Sequence, residues 1–580
     1  MGAVKPSSWR TVGWQYGVVA LWVFVLFVAR TWPMATDPSR MVVGHPEASV
    51  GCHVWVLWWA QQGMNQLHTD LIFYPSGADV VQLYGSDLLS PFVLGFLPMS
   101  PGFLYNLWVL FLTVVGGVGV ARLVRFMDLN WVAAGLGASI FAVAPFFQHE
   151  LINGTSEMVA ASALPWFAFA LLKTLSGAEK NDALLRDGAL TGLIAGLAVA
   201  SSAYNLFMVS IVTAVLVIHR LVVSGEPLFV RSVQRALGLG VGVAGWFGMP
   251  LAWVQLRHGI KETYASRSLS RPDEQPLPDA FADLLDWFDP SAAEIPAVLQ
   301  QPGGGVFEYW TTCTVYIGIV VILLSLLCLA KSRKLGAFGW LFVVGFLLAM
   351  GPHLRVDGEA LSLWGNAIPL PTALLVELVP PFQITALHAY RYSALVVLGL
   401  SVLGARGSAL LPGWAAWLSI LLVVMESALV SPVSGLLPTT AIPRSPTLDA
   451  LAVEPDGGVL HLPIEKENLG DLGRLLMAQT VHGKPVQDGG IHRRAGENAT
   501  TLFADSPMLG ELARPGGAKY ASEKEALWGF VHLTTVGYRY VLVSDEEPEA
   551  VDWVAGVLGP PKETDGRWSY WMLPLQAEVE

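Results

Sequence analysis

The sequence has little charge and almost no cysteine. Charged residues make up 14% of the 580 positions and hydrophobic residues 53%, whereas an ordinary soluble domain carries roughly 25% charged residues. This composition excludes a soluble globular protein, and it excludes a disordered chain, which needs high charge and low hydrophobicity. Three cysteines in the whole chain are too few for a disulfide scaffold.

The sequence also lacks an excess of positive charge and the common nucleotide-binding motifs. The formal net charge of −12 excludes a nucleic-acid binder, which needs Lys and Arg to neutralise phosphates. The sequence has no P-loop, so no ATP site is expected. The 12 histidines are scattered, without a His-x-x-x-His or Cys-x-x-Cys pair. No cofactor is therefore predicted, and a divalent metal is left open without support.

Long apolar runs fill the first 430 residues. About eleven of them approach the length needed to cross a bilayer. They lie near 12–32, 103–121, 131–148, 157–173, 188–203, 205–222, 236–254, 313–330, 336–351, 391–405 and 412–430. The predicted fold is an α-helical polytopic membrane protein with about eleven transmembrane helices.

The last 150 residues have a different character. Residues 431–580 carry 12 Lys and Arg against 21 Asp and Glu and contain no spanning run. Strand-like runs at 459–462, 540–543 and 568–573 accompany helical candidates near 469–481, 523–535 and 549–558. We predict a transmembrane domain over residues 1–430, followed by a soluble C-terminal α/β domain over residues 431–580.

The distribution of basic residues orients the chain, because cytoplasmic loops are rich in Lys and Arg. With a cytoplasmic N-terminus, 14 of the 22 Lys and Arg before residue 431 lie on the inner side: Lys5, Arg10, Arg122, Arg125, Lys173, Lys180, Arg186, Arg220, Arg231, Arg235, Lys331, Arg333, Lys334 and Arg406. An odd number of spans then places the C-terminal domain on the extracytoplasmic side.

Three connections on the predicted outer face are long, at 33–101, 255–312 and 352–390, whereas the inner connections are short. Loops of this length inside a compact protein are usually functional. We therefore expect the chemistry on the outer face. Residues 54–59 of the first loop, rich in valine and tryptophan, are predicted to lie at the membrane interface, where tryptophan is favoured.

The first outer loop supplies the candidate catalytic residues. Asp37 follows the first span, and Glu47 lies between His45 and His53. A carboxylate held there could act as general base toward an acceptor hydroxyl, and the two histidines are candidates for substrate binding. The alternative is structural, with Asp37 in a turn before Pro38 and Glu47 as a helix cap.

A short polar turn joins the third and fourth predicted spans. Residues 149–157 contain Asn153 and Glu157, which we take as substrate-binding candidates, and a second carboxylate, Glu150. The alternative is a capped helical hairpin, with Thr155 or Ser156 as the N-cap of the fourth span.

An arginine stands where the tenth span begins on the outer side, against the positive-inside trend. Arg391 is flanked by Tyr390 and Tyr392 and follows His388. Because a guanidinium binds phosphate in a bidentate fork, we predict that Arg391, with Tyr390 and His388, holds a lipid-linked phosphate. Arg355 is a second, weaker candidate. The alternative is snorkelling or a salt bridge to a loop carboxylate.

Several of these stretches resemble the bacterial polytopic membrane proteins of GT-C-type glycosyltransferase architecture. The resemblance covers most of residues 10–430, and it is looser at 479–485. The matching stretches are Gly44-His45-Pro46, His53-Val54-Trp55, Trp58-Trp59, Tyr105-Asn106-Leu107-Trp108, Asn153-Gly154-Thr155-Ser156-Glu157 and Tyr390-Arg391-Tyr392.

The resemblance implies a GT-C-like enzyme in the bacterial inner membrane. Such an enzyme takes a sugar from a polyprenyl-phosphate donor and transfers it, with inversion, to an envelope glycan or lipid acceptor that an acidic residue of the first outer loop activates. Where an aspartate is expected a few residues after His45, this chain has Ala48-Ser49-Val50. Either Glu47 takes that role, or the protein binds a lipid-linked sugar without transferring it.

Two other classes stay open at this level. The first is a transporter or flippase of envelope lipids, for which Glu426 in the last predicted span would be an intramembrane charge. The second is a non-catalytic membrane protein that binds glycan or takes part in assembly through its C-terminal domain.

Overall fold

The computed structural model is mostly helical. It describes residues 9–46, 48–63, 68–80, 89–177, 181–223, 231–269, 284–285, 287–288, 314–356, 359–379, 382, 388–462, 469–488 and 523–574. Among them, six helices are long and apolar enough to cross a membrane: Gly13–Arg30, Pro101–Phe126, Trp131–Ile152, Ser156–Ser176, Asp182–Ser201 and Ala203–Val222. The chain is therefore a multi-pass membrane protein.

Each of the eleven predicted spans overlaps a helix of the structure. The helices before residue 431 are α1 (Trp9–Arg30), α2 (Trp32–Thr36), α3 (Val50–Gln61), α4 (Leu89–Leu94), α5 (Pro101–Phe126), α6 (Trp131–Ala142), α7 (Pro145–Ile152), α8 (Ser156–Val159), α9 (Leu164–Ser176), α10 (Asn181–Ser201), α11 (Ala203–Ile218), α12 (Arg231–Leu269), α13 (Ile319–Ser332), α14 (Gly336–Ala349), α15 (Pro371–Leu378), α16 (Ser393–Ser408) and α17 (Gly413–Leu429). Because six described helices meet the length needed to span, the number of crossings stays a prediction.

Glycine allows two of the membrane helices to approach closely. A Cβ atom at Gly188 of α10 would lie 2.2 Å from the carbonyl oxygen of Ala236 in α12. One at Gly192 would lie 2.0 Å from the carbonyl oxygen of Gly240. Small residues of this kind are typical of helix contacts in membranes, where close packing drives association. The contact between α10 and α12 therefore depends on the absence of side chains at these positions.

The strands form small sheets. They are β1 (Met41–Val43), β2 (His68–Thr69), β3 (Ala78–Asp79), β4 (Arg355–Val356), β5 (Glu359–Ala360), β6 (Ser362–Leu363), β7 (Asn366–Ala367), β8 (Thr439–Ala441), β9 (Gly458–Leu462), β10 (Tyr538–Ser544), β11 (Glu563–Thr564) and β12 (Trp568–Met572). The C-terminal segment contains a four-stranded sheet in the order β11-β12-β10-β9. Strand β9 is parallel to β10, and the other pairs are antiparallel.

The predicted elements of the C-terminal segment are confirmed. The three strand-like runs form β9, β10 and β12, and the helical candidates form α19 (Leu469–His482), α20 (Glu523–Thr535) and α21 (Pro548–Leu558), preceded by α18 (Pro446–Val453). A parallel β9–β10 pair needs a crossover connection, and α19 and α20 both lie within it. The domain boundary at residue 430 stays a prediction.

The first outer loop pairs with the beginning of the C-terminal segment. Strand β1 is antiparallel to β8, with Met41 opposite Ala441 and Val43 opposite Thr439. Because two hydrogen-bonded strands lie on the same side of a membrane, the chain crosses it an even number of times between these strands. The ten spans predicted between residues 43 and 439 satisfy that condition.

The prediction that residues 54–59 lie at the membrane interface is wrong. Helix α3 is buried on all sides, and Trp55, Trp58 and Trp59 are 0%, 8% and 4% exposed. One side packs with the C-terminal residues Leu472, Leu475, Leu476 and Tyr540. The other packs with Leu104 and Tyr105 of α5. The helix therefore joins the membrane helices to the C-terminal segment through two apolar clusters, one on each of its sides.

Candidate functional site

The loop that precedes α3 is fixed against the turn after α7. The amide N–H of His45 donates to the carbonyl oxygen of Ile152 at 2.8 Å. Both the amide and the hydroxyl of Ser49 donate to the carbonyl oxygen of Asn153, at 3.2 and 2.7 Å. Gly154 has a φ of +72°, and a Cβ atom there would lie 2.5 Å from the amide nitrogen of Val50. The polar turn and the first outer loop thus form one unit.

A buried asparagine holds the earlier part of the same loop. The side-chain amide of Asn106 donates to the carbonyl oxygens of Pro38 and Met41, at 2.9 and 2.7 Å. Its carbonyl accepts from the amide of Val43 at 3.1 Å. Asn106 is 4% exposed, so every polar atom of its side chain is used internally. The Tyr105-Asn106-Leu107-Trp108 stretch therefore contributes a structural residue that orders the first outer loop.

Two carboxylates are buried on either side of the polar turn. Glu150, near the end of α7, is 0% exposed, and Glu157, in α8, is 5% exposed. The hydroxyl of Thr155 donates to Glu150 Oε2, and its oxygen lies 3.0 Å from the Glu150 carbonyl oxygen. Thr155 makes no N-cap bond to α8. Thr155 stands at the N-cap position of α8, one of the two positions that the structural alternative for this turn named, but its hydroxyl is used by the buried carboxylate of Glu150 instead of a capping bond.

His53 connects α3 to the second carboxylate. Its Nε2 atom lies 3.6 Å from Glu157 Oε2, and its Nδ1 atom lies 3.3 Å from the hydroxyl oxygen of Ser156. The ring is 6.5 Å from that of Tyr105. The His53 and Glu157 side chains are 11% and 6% exposed. An imidazole beside a carboxylate can hold or pass a proton, and here the pair does so in a largely dry environment.

Arg391 lies near both carboxylates, although it belongs to a distant part of the sequence. Its guanidinium carbon lies 4.8 Å from the ring centroid of Tyr204 and 6.0 Å from that of Tyr390. The guanidinium interacts electrostatically with Glu150 and Glu157. Its Nε atom is buried without a hydrogen-bond partner among the described residues. A guanidinium with unused donors is suited to bind an additional anion.

We call this group of side chains the outer cluster. It comprises His53, Glu150, Thr155, Ser156, Glu157, Tyr204, Tyr390 and Arg391. The members come from residues 53, 150–157, 204 and 390–391, and so from four separate parts of the chain. Two carboxylates, one guanidinium, one imidazole and several hydroxyls therefore converge in a protected place.

A second arginine, Arg30, connects the cluster to neighbouring membrane helices. The guanidinium of Arg30, at the end of α1, donates to Gln148 Oε1 at 2.8 Å and to the carbonyl oxygens of Ser427 and Val433. The hydroxyl of Ser427 lies 3.4 Å from the same Gln148 oxygen. Since Gln148 and Glu150 belong to the same turn of α7, Arg30 ties the cluster to α1 and α17.

The structure brings some of the predicted site residues together and leaves others apart. His53, Asn153, Glu157, Tyr390 and Arg391 lie in the outer cluster or in the turn that forms it. His45 is hydrogen-bonded to the same turn through its backbone. His388 is exposed, with its ring 6.2 Å from that of Tyr390. Arg355 lies in β4, and its carbonyl accepts from Leu284 at 3.2 Å.

The two predicted catalytic carboxylates have different outcomes. Asp37 pairs with Arg40 at 3.4 Å, and its side chain is 42% exposed, so the structure keeps it out of the outer cluster. Glu47 lies outside the described residues. His45 and Ser49, two positions away on either side, are hydrogen-bonded to Ile152 and Asn153.

Sequence reasoning gave Glu150 no functional role. It stands near the end of an apolar run, and a carboxylate at the end of a membrane helix is the signal that could have singled it out. Among the described residues, no group of three or more His, Cys, Asp and Glu is arranged to hold a metal ion.

Glu426 is the intramembrane charge that would favour a transporter. In the structure its carboxylate is hydrogen-bonded to the beginning of a neighbouring helix. Its carboxylate accepts from the backbone amides of Ile319 and Val320 at 2.5 and 3.0 Å and from the hydroxyl of Tyr316 at 2.9 Å. The free amides of a helix N-terminus attract a negative charge. Glu426 therefore joins α17 to the beginning of α13.

Known structures share this fold. The apo oligosaccharyltransferase of Archaeoglobus fulgidus aligns with 95% of this chain and 72% of its own, at 11% identity and a TM-score of 0.50. A mutant of the mycobacterial arabinofuranosyltransferase AftD aligns in two classes, at 15% and 16% identity and TM-scores of 0.51 and 0.50. These alignments cover 93% and 91% of this chain but only 37% and 36% of the AftD chain.

The alignments show the fold, because identities this low carry no evidence on substrates. No protein-family model matches the chain, and no curated protein is significantly similar to it in sequence. The expectation drawn from the resemblance is nevertheless confirmed at the level of architecture. The chain has a divergent form of the GT-C fold that these membrane glycosyltransferases share.

Proposed function

We propose that the protein is an integral membrane glycosyltransferase of the bacterial inner membrane. It takes a sugar from a polyprenyl-phosphate donor and transfers it to a hydroxyl of an envelope glycan or lipid on the outer face. In this proposal the N-terminus is cytoplasmic, and the first outer loop and the C-terminal segment are extracytoplasmic. The GT-C fold and the position of the outer cluster support it.

The observation that carries the proposal is the convergence of Arg391 with Glu150 and Glu157 in a buried cluster. Transfer from a lipid-linked phosphate needs a cation for the departing phosphate and a carboxylate for the acceptor proton. The Nε–H group of Arg391, which has no hydrogen-bond partner among the described residues, offers a donor for the phosphate. Two carboxylates attract its charge, so the cluster can hold the guanidinium in a poorly solvated place before the donor arrives.

The proposed step is a direct displacement at the anomeric carbon. The acceptor oxygen forms a bond to this carbon while the bond to the phosphate oxygen breaks. The electron pair of the broken bond leaves with the polyprenyl phosphate, and the acceptor proton passes to a carboxylate. Attack opposite to the leaving group inverts the anomeric configuration.

Two residues are candidates for the base. The resemblance implies an acidic residue of the first outer loop, and Glu47 is the candidate to take that role in place of the expected aspartate. The described geometry favours Glu157, because His53 lies within 3.6 Å of its carboxylate and provides a route for the proton. In the second assignment Glu150 and Thr155 orient the turn, and Tyr204 and Tyr390 orient the guanidinium of Arg391.

The test is sugar transfer in membranes that contain a radiolabelled polyprenyl-phosphate donor pool. Four variants are compared with the wild type: Glu47→Gln, Glu157→Gln, Arg391→Gln and, as control, Asp552→Asn, an exposed carboxylate of α21. Insertion of each variant is checked by the amount of protein extracted from the membrane.

We expect Arg391→Gln and one of the two glutamate variants to lose at least about 100-fold in rate, the usual effect of removing a general base. Asp552→Asn should match the wild type. The glutamate variant that fails identifies the base. Transfer by all four variants at the wild-type rate would remove the outer cluster from the reaction. No transfer by the wild type, with donor shown to be present, would favour transport or glycan binding.

A further inference from the structure

A cavity lies between α5, α9 and α10. It has a volume of about 290 Å³ and is lined by Arg122 of α5, Trp166, Phe169 and Lys173 of α9, and Arg186 and Asp187 of α10. Lys173 follows Glu157 by 16 residues of nearly continuous helix, which corresponds to roughly 24 Å. The cavity is therefore separate from the outer cluster and lies toward the opposite membrane face.

The lining carries an excess of positive charge. Lys173 Nζ pairs with Asp187 Oδ1 at 2.9 Å, and Asp187 is 4% exposed. This pair is internally neutral, so Arg122 and Arg186 give the cavity a formal charge of about +2. The guanidinium of Arg122 lies 4.8 Å from the ring centroid of Phe169 and donates to the Tyr16 hydroxyl at 3.0 Å. These uncharged partners leave its charge available to an anion.

The surroundings of the cavity are apolar and exposed on the surface of the helices. Leu190, which also lines the cavity, is 45% exposed. Leu197, about two turns further along α10, is 41% exposed, and Phe126, in edge contact with Phe169, is 39% exposed. A charged cavity bordered by lipid-facing leucines matches a molecule with an anionic head and apolar chains. Arg122, Lys173 and Arg186 also belong to the basic residues that the positive-inside rule places on the cytoplasmic side.

We propose that this cavity binds the phosphate headgroup of an anionic phospholipid from the inner leaflet. Arg122 and Arg186 contact the phosphate, the Lys173–Asp187 pair forms the floor, and the acyl chains lie along Leu190 and Leu197. Basic pockets between helices on the cytoplasmic side are suited to such headgroups, and guanidinium binds phosphate in a bidentate manner. The proposal is independent of the proposed glycosyl transfer.

The test uses the full-length protein in detergent and measures binding by native mass spectrometry and by the shift in unfolding temperature. The probes are phosphatidylglycerol, phosphatidylcholine and inorganic phosphate. The variants are Arg186→Gln and Arg122→Gln. The Arg186 side chain is exposed, so its replacement should not impair folding. The control is Lys331→Gln, which removes a charge from an exposed position at the end of α13 on the same predicted face.

We expect the wild type to prefer phosphatidylglycerol over phosphatidylcholine, with affinity for phosphatidylglycerol reduced about five-fold by each arginine substitution and unchanged by Lys331→Gln. Equal binding of the two lipids by the wild type would overturn the proposal. So would a preference for phosphatidylglycerol that both arginine variants retain. Binding of inorganic phosphate as strong as that of phosphatidylglycerol would identify a free anion as the ligand and contradict the assignment to a lipid.

Discussion

The indole N–H of Trp55 donates to Oε1 of Gln479 at 2.7 Å, across 424 positions of sequence. The amide group of Gln479 in turn donates to the carbonyl oxygens of Leu71 and Lys484, at 2.6 and 3.1 Å. Both Trp55 and Gln479 are 0% exposed. A single side chain thus satisfies groups from the first outer loop and from the C-terminal segment. The C-terminal segment is therefore docked on the loop that precedes the outer cluster.

Replacing Gln479 should weaken this docking. The variant Gln479→Leu removes the acceptor of the Trp55 indole N–H and one of the two donors to the Leu71 carbonyl, which still accepts from the Val486 amide. The expected cost is about 1–3 kcal/mol for the buried bond of the indole. Limited proteolysis of the full-length protein between residues 430 and 469 should accelerate, with little change in protein yield. The control is Thr480→Ala, because among the described residues the Thr480 hydroxyl bonds only the Met477 carbonyl of its own helix. Equal protection of Gln479→Leu and wild type would contradict the role of this residue.

A steric test of the same contact uses Gly51. A Cβ atom there would lie 2.4 Å from the carbonyl oxygen of Gly473 in α19, so Gly51→Ala requires α3 and α19 to separate. We expect a lower unfolding temperature and faster proteolysis. The matched control is Gly556→Ala in α21, where a Cβ atom has open space and alanine should stabilise the helix slightly. A Gly51→Ala protein as stable as Gly556→Ala would show that the helices do not approach this closely.

The C-terminal segment should lose stability in acid through His482. Burial, and then the charge of Lys484, lower the pKa of His482 from 6.5 to about 3. A histidine with a lowered folded-state pKa stabilises the fold above its unfolded value and loses that contribution as the pH falls from about 6.5 toward 3. By pH 4.5 the loss is on the order of 2–3 kcal/mol.

The check compares the wild type with His482→Asn. Nδ1 of His482 accepts from the Lys484 amide at 3.1 Å, and the asparagine side-chain oxygen can accept the same bond without titrating. Unfolding temperatures of the full-length protein in detergent are measured between pH 7.5 and 4.5. We expect the wild type to fall more steeply than the variant. Parallel profiles would show that His482 protonates as readily in the folded protein as in the unfolded one.

Glu426 should behave as a structural residue. Glu426→Gln keeps the shape but removes the charge from the N-terminus of α13, which is expected to cost about 1–2 kcal/mol of stability. Sugar transfer at a permissive temperature should be retained. Loss of transfer in a protein of unchanged stability would instead assign Glu426 to a transport or catalytic pathway.

Hydropathy and periodicity predicted the helices and the C-terminal strands, because these patterns are local. They misplaced residues 54–59, because tryptophan suits an interface and a buried core equally well. The partner that decides between the two is α19, more than 400 residues away. No local pattern could indicate it.

The sequence predicted only part of the outer cluster, for a related reason. Arg391 and Glu157 stood out as charges at the ends of apolar runs. That they face each other, and that Thr155 serves Glu150 rather than α8, depends on how the helices pack. Asp37 looked equally suited to catalysis in sequence, and only the fold shows it paired with Arg40 outside the cluster.

The most direct test of the central claim is sugar transfer by the purified wild-type protein in vesicles that contain one extracted, radiolabelled polyprenyl-phosphate sugar and an envelope acceptor. The account predicts labelled acceptor with inverted anomeric configuration, lost in Arg391→Gln. If the donor stays intact with the wild-type protein, while membranes rich in glycosyltransferases consume it under the same conditions, the protein is not the enzyme proposed.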